Sequence, residues 1–355
     1  MSEGGISIEE LGLSQKDLQI PQEKQPLLNV IQQLEGKSHF TRQVIDSTKC
    51  EIIPKDPKEA KKGGYIIESI ESSTHPDLIK VQKLIEKTFG KEEVDPFDVL
   101  KDSVDGKTAS GAEAEVKYKV YAIKDKKGKV VSAFTGSLSD LKDEDSLPTG
   151  ETVFMVGYAV TDEKSRKLGL ARESYISVLQ DADTESQKNN KRFAFAAGEC
   201  TFTSEHFWNG VGWKRVYGAV DNNVKHYQEV EYVQPALDFD TETGNIAPDA
   251  GIVPEHFMVD SFGKLPPNKN QFLQIAQAFY RGFYTWPKDD FENDTAYTNH
   301  LNHVKGIENK FQEFLQTHGQ LIFLDIKNRE KATQQGISIG GYTAADHGST
   351  GEEDF

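Results

Sequence analysis

The chain passes from an apolar strand into a helix through Val160-Thr161-Asp162-Glu163-Lys164-Ser165-Arg166-Lys167-Leu168-Gly169-Leu170-Ala171-Arg172-Glu173-Ser174-Tyr175. The preceding run, Val153-Phe154-Met155-Val156-Gly157-Tyr158-Ala159-Val160, is nearly continuous in apolar residues and predicts a buried strand. Beyond the turn, Ala171, Tyr175, Val178, Leu179 and Ala182 recur at helical spacing on one face. Between the two lies Arg166-Lys167-Leu168-Gly169-Leu170-Ala171. A turn of this kind exposes several backbone N–H groups beside the positive end of a helix dipole, which suits a pyrophosphate. The same glycine would also serve a turn that needs only an unusual φ or close packing.

Working outward, Tyr65 to Ile70 predicts a first strand, and Leu78, Val81, Ile85 and Phe89 form a helical stripe closed by Gly90. The run from Pro96 to Glu115 is acidic, lacks periodicity and reads as a loop. Val120–Ile123 and Val130–Phe134 flank a charged, Gly-containing turn and read as a hairpin. Arg192 to Gly198 predicts a further strand, followed by a short helix ending near Gly212 and Trp213.

Taken in this order, the elements and the six-residue turn resemble the GCN5-related N-acetyltransferase (GNAT) superfamily, whose acyl-CoA-binding pattern is Gln/Arg-x-x-Gly-x-Gly/Ala. The resemblance spans roughly residues 65–262. It implies an α/β (α+β) fold with a mixed, mostly antiparallel central sheet flanked by helices. It also implies acetyl-CoA, or another acyl-CoA, as cofactor. The residues placed against that cofactor are Tyr158, Ala159 and Val160 on the strand, and Arg166, Lys167, Leu168, Gly169, Leu170 and Ala171 in the turn. In the family a bulge on this strand splays two parallel strands apart, and Gly157 suits a bulge. The loop from Val160 to Gly169 is about one residue longer than in typical members, and Asp162 stands where many carry proline.

The family often carries a tyrosine that protonates the leaving thiolate, and Trp208 stands at its position here. Indole donates a hydrogen bond but is no acid near neutral pH. Cys200, His206 and Tyr217 are the substitutes nearby. For the base, Glu199 is the first candidate, because Phe193, Phe195, Ala197 and Glu199 share one face of a regular strand. His206 has a suitable ordinary pKa, and Glu151 is a weaker alternative. The catalytic candidates are thus Glu199, Tyr217 and His206. The expected reaction is direct acetyl transfer to a primary amine, on a small molecule or a protein. The alternative is an acyl-CoA-binding regulatory or scaffold protein with little turnover.

Composition narrows the partners. Lys and Arg total 41 against 57 Asp and Glu, a formal charge of −16. That balance argues against nucleic acid, since phosphate binding needs a basic footprint. No run is long and apolar enough for a membrane span or a secretory signal, and Cys50 and Cys200 suggest no disulfide framework, so a cytoplasmic enzyme is expected. His300 and His303 sit three apart without further ligands, which predicts a solvated helix face and no metal site. Residues 1–64 read as a polar extension, partly disordered, and 65–262 as the acyl-CoA-binding domain. Residues 263–333 carry two apolar helical stripes and a short strand, a helical appendage expected to pack on the core, with a homodimer contact as the competing use. Residues 334–355 read as a flexible acidic tail.

Overall fold

The structure is a computed structural model that describes residues 25–91, 94–107, 116, 118–220, 225–230, 232, 239–247 and 255–341. In chain order its elements are α1 (Gln25–Gly36), β1 (Phe40–Val44), β2 (Lys49–Pro54), α2 (Pro57–Lys62), β3 (Tyr65–Ile70), α3 (Leu78–Phe89) and α4 (Phe97–Asp105). Next come β4 (Tyr118–Lys124), β5 (Val130–Lys142), β6 (Pro148–Thr161), α5 (Leu170–Lys188), β7 (Arg192–Cys200), α6 (Glu205–Val211), β8 (Lys214–Ala219), β9 (His226–Glu229) and β10 (His256–Asp260). The C-terminal part holds α7 (Lys269–Phe279), a π-helical segment Tyr280–Tyr284, α8 (Asp294–Thr317), β11 (Leu321–Leu324), α9 (Ile326–Gln334) and β12 (Ser338–Gly340).

Among the described residues the strands form one sheet in the order β1-β2-β3-β4-β5-β6-β7-β10-β8-β9-β12, with β11 also on β8. Pairings are antiparallel except β6 with β7 and β9 with β12. The fold is therefore mixed α/β with a mostly antiparallel sheet and helices on both faces.

Strand alternation assigns each face its own core. On one face Phe154, Val156, Ala196 and Met258 pack with α1, α5 and α6. On the other, Val153, Met155, Ala197, Phe257 and Val259 pack with α7 and α8, while α3 and α4 cover Val120, Ala122 and Ala133. The C-terminal helices thus share a core with the sheet. Apolar spacing in the sequence located α3, α5, α7 and α8 well.

Three expectations are corrected. Residues 25–64 are part of the sheet: β1 and β2 extend it beyond β3, and α1 buries Leu27, Ile31 and Leu34 against α5. Polar composition hid this because β1 is an edge strand with mostly exposed side chains. The segment is anchored through Glu173 in the first turn of α5, which is fully buried. Its carboxylate accepts from Arg42 Nη1 at 2.9 Å and from the Ser38 hydroxyl, and Arg42 Nη2 donates to Ser177 Oγ at 2.7 Å. The acidic stretch after Pro96 forms α4 over Phe97–Asp105, with Leu100 and Val104 buried, while residues 108–115 lie outside the described residues. The C-terminal tail begins later than 334, since β12 pairs with β9 in parallel, and residues 342–355 lie outside the described residues.

Asp260, at the end of β10, is a buried carboxyl that accepts from Tyr175 Oη at 2.9 Å and from the Phe262 amide at 2.7 Å. Burial outweighs those bonds and pushes its pKa up to about 6 from an ordinary 3.8. Below pH 3.8 the group holds its proton in both states; between 3.8 and 6 only the folded state keeps it. Stability should therefore fall as pH rises through that window, by about 3 kcal/mol for a shift of this size. Urea unfolding of the Asp260→Asn variant at pH 4 and pH 7 should show this slope removed; an unchanged slope would assign it to other groups.

Candidate functional site

The strand β6 changes character at Gly157. Upstream, residues 152–156 pair with β5 on one edge and in parallel with β7 on the other. The β5 register jumps from Phe134↔Ala159 to Gly136↔Val156, so Gly157 and Tyr158 together face Thr135. This is a bulge, and it reverses which residues face which side: Val153 and Met155 look toward α7, whereas Tyr158 and Val160 join the α3 and α4 side. The Tyr158 amide donates to Thr135 Oγ1 at 2.9 Å. On the other edge the β7 register runs only to Val156↔Gly198, one residue short of Gly157. The bulge expected at Gly157 is present, and β6 and β7 diverge from it.

Why glycine stands at 157 is clear from its surroundings. A Cβ there would collide with the Tyr118 hydroxyl and press on Phe283 Cε1 and Thr135 Oγ1, each at 3.2 Å. Tyr118 Oη is bonded to Thr135 Oγ1 at 2.8 Å, and its ring meets Phe283 edge-on at 6.0 Å. Burial raises the Tyr118 pKa, so this phenol keeps its proton.

Downstream, Asp162 caps a single 3-10 turn, Glu163–Ser165. Asp162 is buried and paired with Lys129 at 2.9 Å. Lys167 has φ +65° and Gly169 φ +87°, a non-glycine and a glycine in the left-handed region within one short turn. The first helical bond of α5 runs from the Glu173 amide to the Gly169 carbonyl at 3.3 Å, so the amides of 169–172 lack intrahelical acceptors. Space over Gly169 is open: a Cβ would meet only His39 Cδ2, at 3.6 Å. The Arg166 Nε donates back to the Thr161 carbonyl at 3.3 Å and so shapes the loop, while Lys167 is exposed. Leu168 and Leu170 anchor the turn in the apolar cluster with Ile67, Ile123 and Val131. The turn thus leaves open space over Gly169, beside the first amides of α5.

Glu199 lies one residue past the last β6–β7 pair, at the mouth of the divergence. The register slips between Thr152↔Phe193 and Val153↔Phe195, leaving Ala194 extra. Phe193 consequently packs on the α5 face, whereas Phe195, Ala197 and Glu199 share the α7 face. The expectation that all four lie on one face is corrected by this second bulge. Both Glu199 carboxylate oxygens accept from Tyr284 Oη at 2.7 Å, and Oε1 also accepts from the Tyr232 hydroxyl. Glu255 is hydrogen-bonded to the same carboxyl. Burial pushes the Glu199 pKa up, against the pull of the tyrosine hydroxyls. Two carboxyls in contact hold a proton between them.

The other candidates go elsewhere. Tyr217 is buried on β8, where Arg329 Nη1 donates to its hydroxyl at 3.3 Å and burial pushes its pKa up to about 12. It belongs to a buried ionic cluster in which Arg215 meets Glu229 at 3.4 Å and His256 Nδ1 meets Glu229 at 2.6 Å. His206 is exposed on α6. Cys200 is buried on the α5 face, and burial pushes its thiol up. Trp208 is core, tilted against Trp213 at 4.5 Å and edge-on to Phe134 at 6.1 Å. Glu151 pairs with Arg192 and with Gln271 Nε2 at 3.2 Å. Sequence reasoning singled out none of Tyr118, Thr135, Tyr232 and Glu255.

His300 is fully buried rather than solvated: its Nε2 accepts from the Trp286 amide at 2.9 Å, and burial lowers its pKa to about 4. Glu68, His75 and Asp77 bring ligand-type atoms within 4.8 Å of one another. Lys124 bridges Asp77 at 2.7 Å and Glu68, and Lys49 meets Glu68 at 2.9 Å, so ammonium groups already neutralise this cluster. Among the described residues no helix is long and apolar enough to cross a membrane.

The chain is similar to a putative N-acetyltransferase from Lactobacillus plantarum, with 12% identity and a TM-score of 0.29 over 55% of this chain and 98% of that one. It is similar to the GNAT family N-acetyltransferase YhbS from Escherichia coli, solved in complex with CoA, at 12% identity and a TM-score of 0.31, covering 56% and 82% of the two chains. A third is an aminoglycoside acetyltransferase from an uncultured soil metagenomic sample in complex with sisomicin, at 11% identity and a TM-score of 0.30, covering 41% and 84%. No protein-family model matches the chain, and no curated protein matches it.

The close approach of Tyr118 to Gly157 makes a direct prediction. Gly157→Ala should cost about 1–3 kcal/mol through overpacking. Gly306→Ala, which adds its methyl to open space inside α8, should gain about 0.5–1 kcal/mol. Urea denaturation of both variants checks the contrast, and equal effects would mean that position 157 tolerates a side chain.

Proposed function

We propose that the protein transfers an acyl group, acetyl in the simplest case, from acyl-CoA to a primary amine by direct attack. The observation that carries this reading is the arrangement along one strand. Within β6 the chain frees backbone at a bulge, and the same strand then delivers the anion cradle at Lys167 to Ala171. The cradle opens α5 on one face, and Glu199 stands on the other face at the mouth of the divergence.

The residues fit an acyl-CoA in three respects. Amides of 167–171 would hold the pyrophosphate, with Gly169 leaving the backbone accessible. Backbone amides of β6 beyond its last β7 pair, apart from the Tyr158 amide that Thr135 takes, would hold the pantetheine arm and the thioester carbonyl. A bound acyl-CoA supplies the activated thioester. Glu199 takes the proton from the attacking ammonium, directly or through water, and burial, by raising its pKa, makes it a stronger base for that task. Tyr232 and Tyr284 fix the carboxylate's orientation, and Glu255 keeps a proton close by. The Tyr118 hydroxyl, held by Thr135 beside the bulge, would give the leaving thiolate a hydrogen bond, with its proton coming from solvent. No covalent enzyme intermediate is involved.

A second reading, binding with little turnover, is favoured by one observation: Tyr232, Tyr284 and Glu255 already occupy the Glu199 carboxyl. Thiol release over a panel of amines separates the two.

Titration calorimetry with acetyl-CoA should show saturable binding that is lost in a folded Gly169→Glu variant; unchanged affinity there would remove the cradle from the account. Glu199→Gln should slow thiol release by about 10²–10⁴-fold near neutral pH. The deficit should shrink at high pH, where the amine is already neutral. In the parent, rate should rise with pH through the raised Glu199 pKa. A deficit that is the same at every pH would exclude Glu199 as base.

A further inference from the structure

Far from the bulge, β5 runs on past the end of β4, whose last register pair is Tyr118↔Ser137. At that exposed edge a cavity of about 400 Å³ lies between the C-terminal end of α5 and the start of the π-helical segment. Its volume is in the range of small-molecule sites. It is separate from the site above: the lining residue Ser139 pairs with Val153, four residues before Gly157 and so roughly 13 Å along the strand.

Two observations give this cavity a chemistry. The first is charge. Its two acids are already matched, Asp140 by Lys191 at 2.8 Å and Glu185 by Lys119. Arg281, a half-buried residue of the π-helical segment, lines the same space. Among the described residues its guanidinium joins no ion pair or hydrogen bond. The second is a polar atom without a partner. Ser139 is 6% exposed, and its hydroxyl has no hydrogen-bond partner among the described residues. Leaving a buried hydroxyl unpaired costs free energy that a ligand would recover. The neighbouring Thr152 and Ser186 hydroxyls satisfy each other at 2.7 Å and compete for nothing.

We propose that this cavity binds a small anion, a carboxylate or a phosphate, held by the Arg281 guanidinium with a hydrogen bond from the Ser139 hydroxyl. A planar guanidinium grips either anion through paired N–H donors. In a chain of formal charge −16, a cavity whose described acids are neutralised, and whose arginine has no partner among the described residues, is an unusual place for an anion to be welcome. The inference does not depend on the acyl-CoA reading.

The test is calorimetric titration of inorganic phosphate and, separately, of succinate into the full chain and into Arg281→Gln and Ser139→Ala, with melting curves to confirm folding. At least one probe should bind saturably. That binding should weaken roughly tenfold or more in Arg281→Gln, as expected for loss of a charged hydrogen-bonding partner, and by a smaller factor in Ser139→Ala. Binding of phosphate alone, or of succinate alone, names the anion class. No saturable binding of either probe to the parent overturns the proposal. So does binding that is equal in parent and Arg281→Gln, which would place the anion at the Gly169 turn or elsewhere.

Discussion

The structure depends on one constraint, the mismatch between β5 and β6 at Thr135. Two residues of β6, Gly157 and Tyr158, share a single partner there, and the Thr135 hydroxyl takes the amide that the ladder no longer serves. The course of β6 follows from that extra residue. It turns the pleat over, so that Tyr158 and Val160 point where Gly157 would otherwise continue the α7 face. The parallel ladder with β7 ends at the same place, its last pair being Val156↔Gly198. Backbone polar groups inside a protein are normally paired. A ladder that ends inside a sheet therefore marks a place where those groups meet another partner.

The two faces of the sheet divide the work. The α5 face is closed by large rings, with Phe134, Tyr175, Trp208 and Trp213 in mutual contact, and by the buried Glu173 that ties the N-terminal segment down. Rigidity there fixes the start of α5 and hence the Gly169 turn. The opposite face is built by the C-terminal helices, whose π-helical segment carries Phe283 to Tyr118 and Tyr284 to Glu199. Segments of π-helix recur at functional sites because the wider turn re-aims side chains. Gly282 shows how tightly this one is seated, since a Cβ there would come within 2.6 Å of Met155 Cε.

Legibility in the sequence followed the range of the interactions. The strand–turn–helix around Gly169, the hairpin at Asp125 to Gly128 and the apolar stripes of α3, α7 and α8 are local, and spacing alone revealed them. The Gly157 bulge was readable because a glycine in a dense apolar strand needs a reason. The bulge at Ala194 was not, because nothing in Arg192 to Gly198 marks a slip that exists only relative to β6. The N-terminal strands were hidden for a similar reason: an edge strand with exposed side chains has the composition of a linker, and its place depends on Arg42 reaching Glu173. The shell around Glu199 comes from Tyr232, Glu255 and Tyr284, which only the folded chain brings together. Buried polar partners distant in sequence leave no periodic trace. His206 and Tyr217 were near Glu199 in the chain, yet an exposed helix face and a separate ionic cluster claimed them.

The account rests on the claim that one ligand lies along β6 from the divergence to the start of α5. Backbone amide chemical shifts measured by NMR during an acetyl-CoA titration address it most directly. The account predicts shifts in two groups that saturate together, Gly157 to Val160 at the bulge and Lys167 to Ala171 at the turn. Shifts confined to one group, or clustered away from both, would contradict it.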